Sequence, residues 1–276
     1  MDEPSIGIAR ETLACPHCLS SLIWNGVSFS CAGCSREYPV NNGIPDLRFA
    51  RDEEKNDSAD WAQHWAQGNQ ESLAQKFFSF YRKAVFSRTV GYFVNRHFPD
   101  QGVLVEAGAG TSETSIRIKK PNHGRVLVAV DLVIPVLEKN HSIMDIKMAG
   151  DIFHLPFHDN SIDGLWNVGV MEHFTHSEID RIMREFRRVL KPGAPILLLW
   201  PGTSSLPQRA LRRVERIVNR GKPAGSDEFR FHPPEISQLS STDEGRNVLE
   251  RNGFSTVEID PGFKSLMAFI TVVGEK

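Results

Sequence analysis

Val103-Leu104-Val105-Glu106-Ala107-Gly108-Ala109-Gly110-Thr111-Ser112-Glu113 joins a short apolar run to a glycine turn, and twenty-one residues beyond Gly110 the run Val126-Leu127-Val128-Ala129-Val130 ends in Asp131. A glycine turn followed by a distal acid is the pattern of a nucleotide site, because glycines let the backbone approach a ligand and a carboxylate accepts both ribose hydroxyls. A dinucleotide site requires Gly-x-Gly-x-x-Gly opening a helix N-terminus toward a pyrophosphate. Here Glu113 stands at the third glycine position, and Glu106 at the strand end would repel two phosphates. S-adenosylmethionine carries no phosphate; its sulfonium and ammonium are both attracted by a carboxylate, so the charge pattern favours it over NAD.

Outward from this stretch, residues 162–168 and 196–200 are further continuous apolar runs, which reads as strands buried on both faces. Between them, Ile179, Ile182, Met183, Phe186 and Val189 recur at helix period over residues 177–190, with Ser177 as the expected N-cap and Lys191-Pro192-Gly193 as the stop. Strands alternating with helices predict a parallel, doubly wound α/β sheet with its ligand at the carboxyl ends of the strands. Residues 254–260 and 266–273 read as an antiparallel pair completing the sheet.

From Val103 onward the chain resembles class I S-adenosylmethionine-dependent methyltransferases of the type 11 kind, on five ordered motifs. Glu106-Ala107-Gly108-Ala109-Gly110-Thr111 is similar to the first motif, and Asp131-Leu132 to the acidic end of the second strand. Ala149-Gly150-Asp151-Ile152-Phe153-His154-Leu155-Pro156-Phe157 resembles the third, where the family sets the acid on the adenine amino group and the next backbone on the ring. Residues 161–174, with Asn167 and His173, resemble the fourth strand and its turn, and residues 185–193 the later Arg-Val-Leu-Lys-Pro-Gly signature. The resemblance implies a Rossmann-like seven-stranded sheet, with Glu106, Gly108, Ala109, Gly110, Thr111, Asp131, Leu132, Asp151, Ile152 and Asn167 around the cofactor. Ser112 in place of a third glycine and Ala194 in place of a second are departures from the family pattern. Asp163 reads as a turn stabiliser, and Asn167 as either a lining residue of the transfer site or a loop amide. Methyl transfer is an in-line displacement that needs proximity above all, and a base only where the nucleophile must lose a proton. His173 is the candidate base, with orientation or packing as its other role; His154, His158 and His176 read as ordinary loop histidines.

All four cysteines fall in Cys15-Pro16-His17-Cys18 and Cys31-Ala32-Gly33-Cys34, two knuckles separated by twelve residues. That spacing sets four thiolates for a tetrahedral, structural Zn²⁺ with no open coordination position. Disulfides and a redox pair are the alternatives, the first disfavoured in a reducing cytosol and the second needing a single motif. With Tyr38-Pro39-Val40 and Gly43-Ile44-Pro45 following, residues 12–47 resemble the zinc ribbon of the small methyltransferase-activator subunits, which implies a non-catalytic docking or stabilising module. The expected organisation is a zinc ribbon at 10–49, a charged linker at 50–60, and a methyltransferase domain at 61–276. Its aromatic-rich N-terminal helices at 61–98 form a core face or lid, with Tyr81 as the lid candidate facing the active site.

Lys plus Arg number 32 against 34 for Asp plus Glu, so the chain has no global attraction to nucleic acid or acidic membranes. It has no apolar run of bilayer length, and its first residues are acidic and polar where a secretory signal is basic and then apolar, so the expectation is a cytoplasmic protein. An insertion follows the fifth strand, at residues 202–236. There Arg209, Arg212, Arg213 and Arg216 form either a solvated helix face or a site for an anionic acceptor, with residues 229–234 placed to close over it. The expected function is methyl transfer to a small-molecule or glycoconjugate acceptor. RNA methylation and a non-catalytic scaffold with a vestigial pocket are the alternatives, and the ribbon is a candidate surface for a protein partner.

Overall fold

A computed structural model describes residues 11–49, 82–203, 209, 213–217, 219–220 and 235–276. The linker, Tyr81 with the first part of the helical segment, Arg212 and residues 229–234 lie outside the described residues.

Seven strands form one sheet: β5 (Gly102–Ala107), β6 (Arg125–Asp131), β7 (Ile146–Ala149), β8 (Gly164–Val168), β9 (Pro195–Pro201), β10 (Ser255–Asp260) and β11 (Phe269–Glu275). Their order is β10-β11-β9-β8-β5-β6-β7. The five from β5 to β9 are parallel, and β11 runs antiparallel between β9 and β10. The expected strand runs and the antiparallel pair are present; the short β7 carries too few apolar residues to stand out in the sequence.

Alternate side chains of each buried strand feed two cores. Val103, Val105, Val128 and Val130 join α3 (His176–Val189) and α4 (Thr242–Arg251) on one face. Leu104, Leu127 and Ala129 join α1 (Ser87–His97) and α2 (Ile134–Glu138) on the other. Helix α3 forms where its periodicity predicts, with Ile179, Ile182, Met183, Phe186 and Val189 all fully buried. Each contributes about 2 kcal/mol on leaving water. Its N-cap is Thr175 and not the expected Ser177, because Glu178 completes a reciprocal box: Thr175 N donates to Glu178 Oε2 at 2.8 Å, and Thr175 Oγ1 accepts from Glu178 N at 3.4 Å.

The strict alternation of strand and helix is corrected in two places, since the β5–β6 and β7–β8 connections contain no α-helix. In the first, Ser112, Asn122 and His123 have φ of 52°, 49° and 56°, Pro121 lacks an amide proton, and Thr114, Ile116 and Ile118 are β-branched. The segment therefore coils through successive tight turns, Ser112 N to Ala109 O, Ser115 N to Ser112 O and Ile118 N to Ser115 O.

The ribbon is a four-stranded antiparallel sheet, β1 (Leu22–Trp24), β2 (Ser28–Cys31), β3 (Glu37–Asn41) and β4 (Ile44–Pro45). It does not stand apart from the main sheet. Leu47 N donates to Ala149 O at 2.8 Å, Ala14 N to Pro156 O at 3.0 Å and His158 N to Thr12 O at 2.9 Å. Leu13, Phe29, Tyr38 and Leu47 are buried in the same core as Met148, Leu155 and Phe157. A ribbon this small has too little interior of its own; sharing the core of the main domain supplies it and also covers the open edge at β7.

Candidate functional site

The carboxyl ends of β5, β6, β7 and β8 bring most of the expected residues to one rim. Asp131, at the end of β6, accepts from Gly110 N at 2.8 Å through Oδ2 and from Val133 N at 2.9 Å through Oδ1. Each oxygen keeps a lone pair for a hydroxyl donor. Burial pushes this carboxyl above its usual range, against the lowering effect of those amides. The glycine turn is held from the other side by Asn140 Nδ2, 2.8 Å from Gly110 O and 2.7 Å from Ser112 Oγ. Ser112 keeps the left-handed backbone that a glycine would adopt, with φ of 52°. Gly108, at φ 72°, lies so close to β8's following loop that a Cβ would stand 2.6 Å from Val170 Cγ2. Ala109 is buried, Thr111 partly exposed, and Leu132 sits beside Asp131 at the rim.

Glu106 is 2% exposed. Its Oε1 accepts from Thr114 Oγ1 at 3.2 Å, while Oε2 finds no hydrogen-bond partner among the described residues. Burial pushes the carboxyl up to about 7, opposed by the nearby hydroxyls of Ser112, Ser115 and Thr114. A buried carboxylate with an unused oxygen is a complement for a cation, so the rim fits S-adenosylmethionine: a cationic group toward Glu106, ribose hydroxyls toward Asp131.

On the next strand end, Gly150 N donates to Asp131 O at 3.0 Å, which ties the two acidic loops together. Asp151 Oδ1 accepts from Phe153 N at 2.9 Å, and its Oδ2 lies 3.4 Å from His154 Nδ1. Ile152 packs into the core beside it. Asn167 lies inside β8 at 0% exposure, donating from Nδ2 to Ala107 O at 2.7 Å, so its amide locks β8 to the end of β5. Asp163 holds the turn into β8, accepting from Val103 N at 2.8 Å and Lys191 Nζ at 2.6 Å.

His173 stands in the turn after β8, its Nε2 3.8 Å from Glu172 Oε1. Sequence reasoning missed Glu172. It is 5% exposed with Oε2 unpartnered among the described residues, and burial, reinforced by the charge of Glu235, pushes it up to about 8. Its backbone carbonyl accepts from Ile236 N at 2.6 Å and Ser237 N at 2.9 Å, so the end of the insertion is fastened to this turn. A carboxyl kept protonated at neutral pH beside a histidine is a group able to hold or release a proton. The only signal in the sequence was its position next to His173.

The four cysteine sulfurs lie within 4.8 Å of one another, with Cys15 to Cys34 at 3.7 Å and Cys18 to Cys31 at 3.4 Å. Tetrahedral Zn–S bonds of about 2.3 Å require sulfurs about 3.8 Å apart, so the cluster fits that ion. Gly33 N and Cys34 N both donate to Cys31 Sγ at 3.3 Å, as suits a thiolate ligand.

Residues 105–198 match the methyltransferase-domain family. The malonyl-[acyl-carrier protein] O-methyltransferase of Dechloromonas aromatica is 28% identical over 174 residues, covering 62% of this chain and 62% of that relative. The chain thus spans between two fifths and just over three fifths of the length of the curated relatives it matches. Among solved structures, the magnesium protoporphyrin IX methyltransferase of Synechocystis with bound SAH aligns with a TM-score of 0.54 at 13% identity, covering 79% of this chain and 95% of that one. A chain of the complex between the Haloferax volcanii Trm112 methyltransferase activator and the putative methyltransferase aligns with a TM-score of 0.52 at 14% identity, over 72% and 94% respectively. These solved structures share the Rossmann-like fold of this chain. Residues 105–198 thus match a methyltransferase domain, and the chain also bears a four-cysteine module that resembles a zinc ribbon.

Proposed function

We propose that this chain binds S-adenosylmethionine at the rim formed by Glu106, Gly108, Ala109, Gly110, Thr111, Asp131, Leu132, Asp151 and Ile152, and transfers its methyl group to a small-molecule or glycoconjugate acceptor. The observation that carries this reading is the buried Glu106 with its unpartnered oxygen beneath a glycine turn hydrogen-bonded to Asp131. The cofactor supplies an electrophilic methyl group. Asp131 holds ribose, Glu106 holds positive charge, and Asn167 keeps β5 and β8 in register beneath them. His173 is the candidate base for an acceptor proton, with the buried Glu172 beside it at 3.8 Å.

The names of the relatives carry acceptors as different as malonyl-[acyl-carrier protein] and magnesium protoporphyrin IX. Arg209, Arg213 and Arg216 are exposed in the insertion, which supports an acceptor bearing negative charge. The domain organisation belongs to the same proposal: a ribbon at 10–49 holding a structural Zn²⁺ on Cys15, Cys18, Cys31 and Cys34, a linker at 50–60, and a transferase domain with an N-terminal lid at 61–276. A protein partner on the ribbon is supported by its exposed Ile23 and Val27.

Calorimetric titration of the zinc-loaded chain with S-adenosylmethionine and S-adenosylhomocysteine, with NAD as control, tests the reading. Micromolar binding of the first two and none of NAD is the expected result, with Asp131→Ala weakening it. Equal binding of NAD, or binding unaffected by Asp131→Ala, refutes the site. An RNA affinity that falls steeply with salt and with loss of these arginines would move the acceptor to nucleic acid.

A further inference from the structure

Three rings from three separate segments form one column. His17, between Cys15 and Cys18 in the first knuckle, stacks on Phe49 with centroids 4.3 Å apart and planes at 26°. The other face of Phe49 stacks on His154 at 4.0 Å and 12°. The far end of the column is the Asp151 carboxylate, 3.4 Å from His154 Nδ1. Resting on the S-adenosylmethionine reading, we propose that His17, Phe49 and His154 are positioning residues through which the metal knuckle orients Asp151 toward the purine, and so set both cofactor affinity and preference for adenine.

The loop that carries Asp151 has little structure of its own. Strand β7 is four residues long, and no α-helix follows it before β8. One side of the loop is held by α3, where Glu185 Oε1 accepts from Leu155 N at 2.7 Å and Arg188 donates to Leu155 O at 3.0 Å and Phe157 O at 2.7 Å. The other side is held by the ribbon, through Leu47 N to Ala149 O before Asp151 and Ala14 N to Pro156 O after it. Those backbone bonds fix the course of the loop and leave the direction of the Asp151 side chain to its immediate neighbours. Phe153 N fixes Oδ1 at 2.9 Å, and His154 faces Oδ2. The His154 ring is in turn kept in plane by Phe49, and Phe49 by His17, whose two flanking cysteines belong to the metal cluster. A stacked ring resists rotation because tilting it opens a gap on a dispersion contact.

The test is titration of the zinc-loaded full chain with S-adenosylhomocysteine and with S-inosylhomocysteine, whose purine has an oxygen in place of the amino group. Phe49→Ala is expected to weaken S-adenosylhomocysteine binding about tenfold, the size carried by one to two aromatic contacts. It is also expected to shrink the preference over the inosine analogue by a similar factor, while Phe49→Tyr, which keeps the ring, retains both. In an Asp151→Asn background Phe49→Ala should add little, and removing zinc from the wild-type chain should reproduce its effect. His17→Ala, which alters no backbone contact of the loop, serves as the second variant should Phe49→Ala not fold. Unchanged affinity in both alanine variants overturns the proposal, as does an equal loss for the two ligands, which a merely structural role would give. A wild-type chain that binds neither ligand overturns the cofactor reading itself, and the proposal with it.

Discussion

Replacing Glu172 by glutamine is expected to stabilise the chain by an amount that grows with pH. Glu172 is 5% exposed, and burial is the chief cause that raises it from 4.5 to about 8. Below pH 4.5 the carboxyl is protonated in both the folded and the unfolded chain, and burying it carries no ionisation penalty. As pH rises, the unfolded chain releases the proton while the folded chain retains it, so stability is lost progressively until the pH passes the folded value near 8. A gap of about 3.5 units at about 1.4 kcal/mol per unit sets the full loss at about 5 kcal/mol. Glutamine matches the shape of the protonated acid and does not titrate. The two proteins should therefore melt together near pH 5 and separate by on the order of 10 °C at pH 8 to 8.5, at about 2–4 °C per kcal/mol for a domain of this size. Thermal melts followed by circular dichroism across pH 5 to 8.5, without cofactor, read this directly. A difference that is constant across the range, or a glutamine variant less stable than wild type at pH 8, refutes the reasoning.

Glu106, raised by burial to about 7, becomes a carboxylate as pH rises through that value, so affinity for the ammonium-bearing S-adenosylhomocysteine should climb by up to about tenfold from pH 6 to pH 8. Calorimetry should find that rise absent in Glu106→Gln, and a flat wild-type profile contradicts the pairing. Arg125 is 2% exposed and donates to Pro99 O at 2.7 Å, Asn95 Oδ1 at 2.9 Å, Lys119 O at 2.9 Å and Phe98 O at 2.8 Å, closing the entrance to β6. Arg125→Ala leaves the buried Phe98 O without this donor, removes the bonds to the three part-buried acceptors and should cost about 2–3 kcal/mol in urea denaturation, with under 1 kcal/mol counting against this account. Chelation should release one zinc per chain, measured by a metal-sensitive dye, and lower the melting temperature of the whole chain in a single transition, since ribbon and sheet share one core. Independent melting of a small and a large unit contradicts that continuity.

Strands β5, β6, β8 and β9 were legible because each is a short continuous apolar run, and α3 because five residues repeat at its period, whereas the short β7 gave no such run. The four cysteines announced their cluster by spacing alone, Glu106 and Asp131 by their places at strand ends, and Asp151 by the resemblance of residues 149–157 to the family's third motif. These are local signals, carried by neighbours within a few residues. The cap of α3 at Thr175 needed the side chain of Glu178 to reach back, and the coiled path after the glycine turn needed Ser112 to take up a left-handed backbone. His154 read as an ordinary loop histidine until Phe49, more than a hundred residues earlier, was seen stacked on it. Glu172 reads as an ordinary acid in the sequence, since its burial and the proximity of Glu235 arise only when the insertion returns across the end of β8. Composition and periodicity determined the class of sheet and the cysteine module. The joining of the two into one core, and the raised acids and the aromatic column, were decided by contacts between distant segments, whose energies depend on which surfaces meet and how much water they exclude.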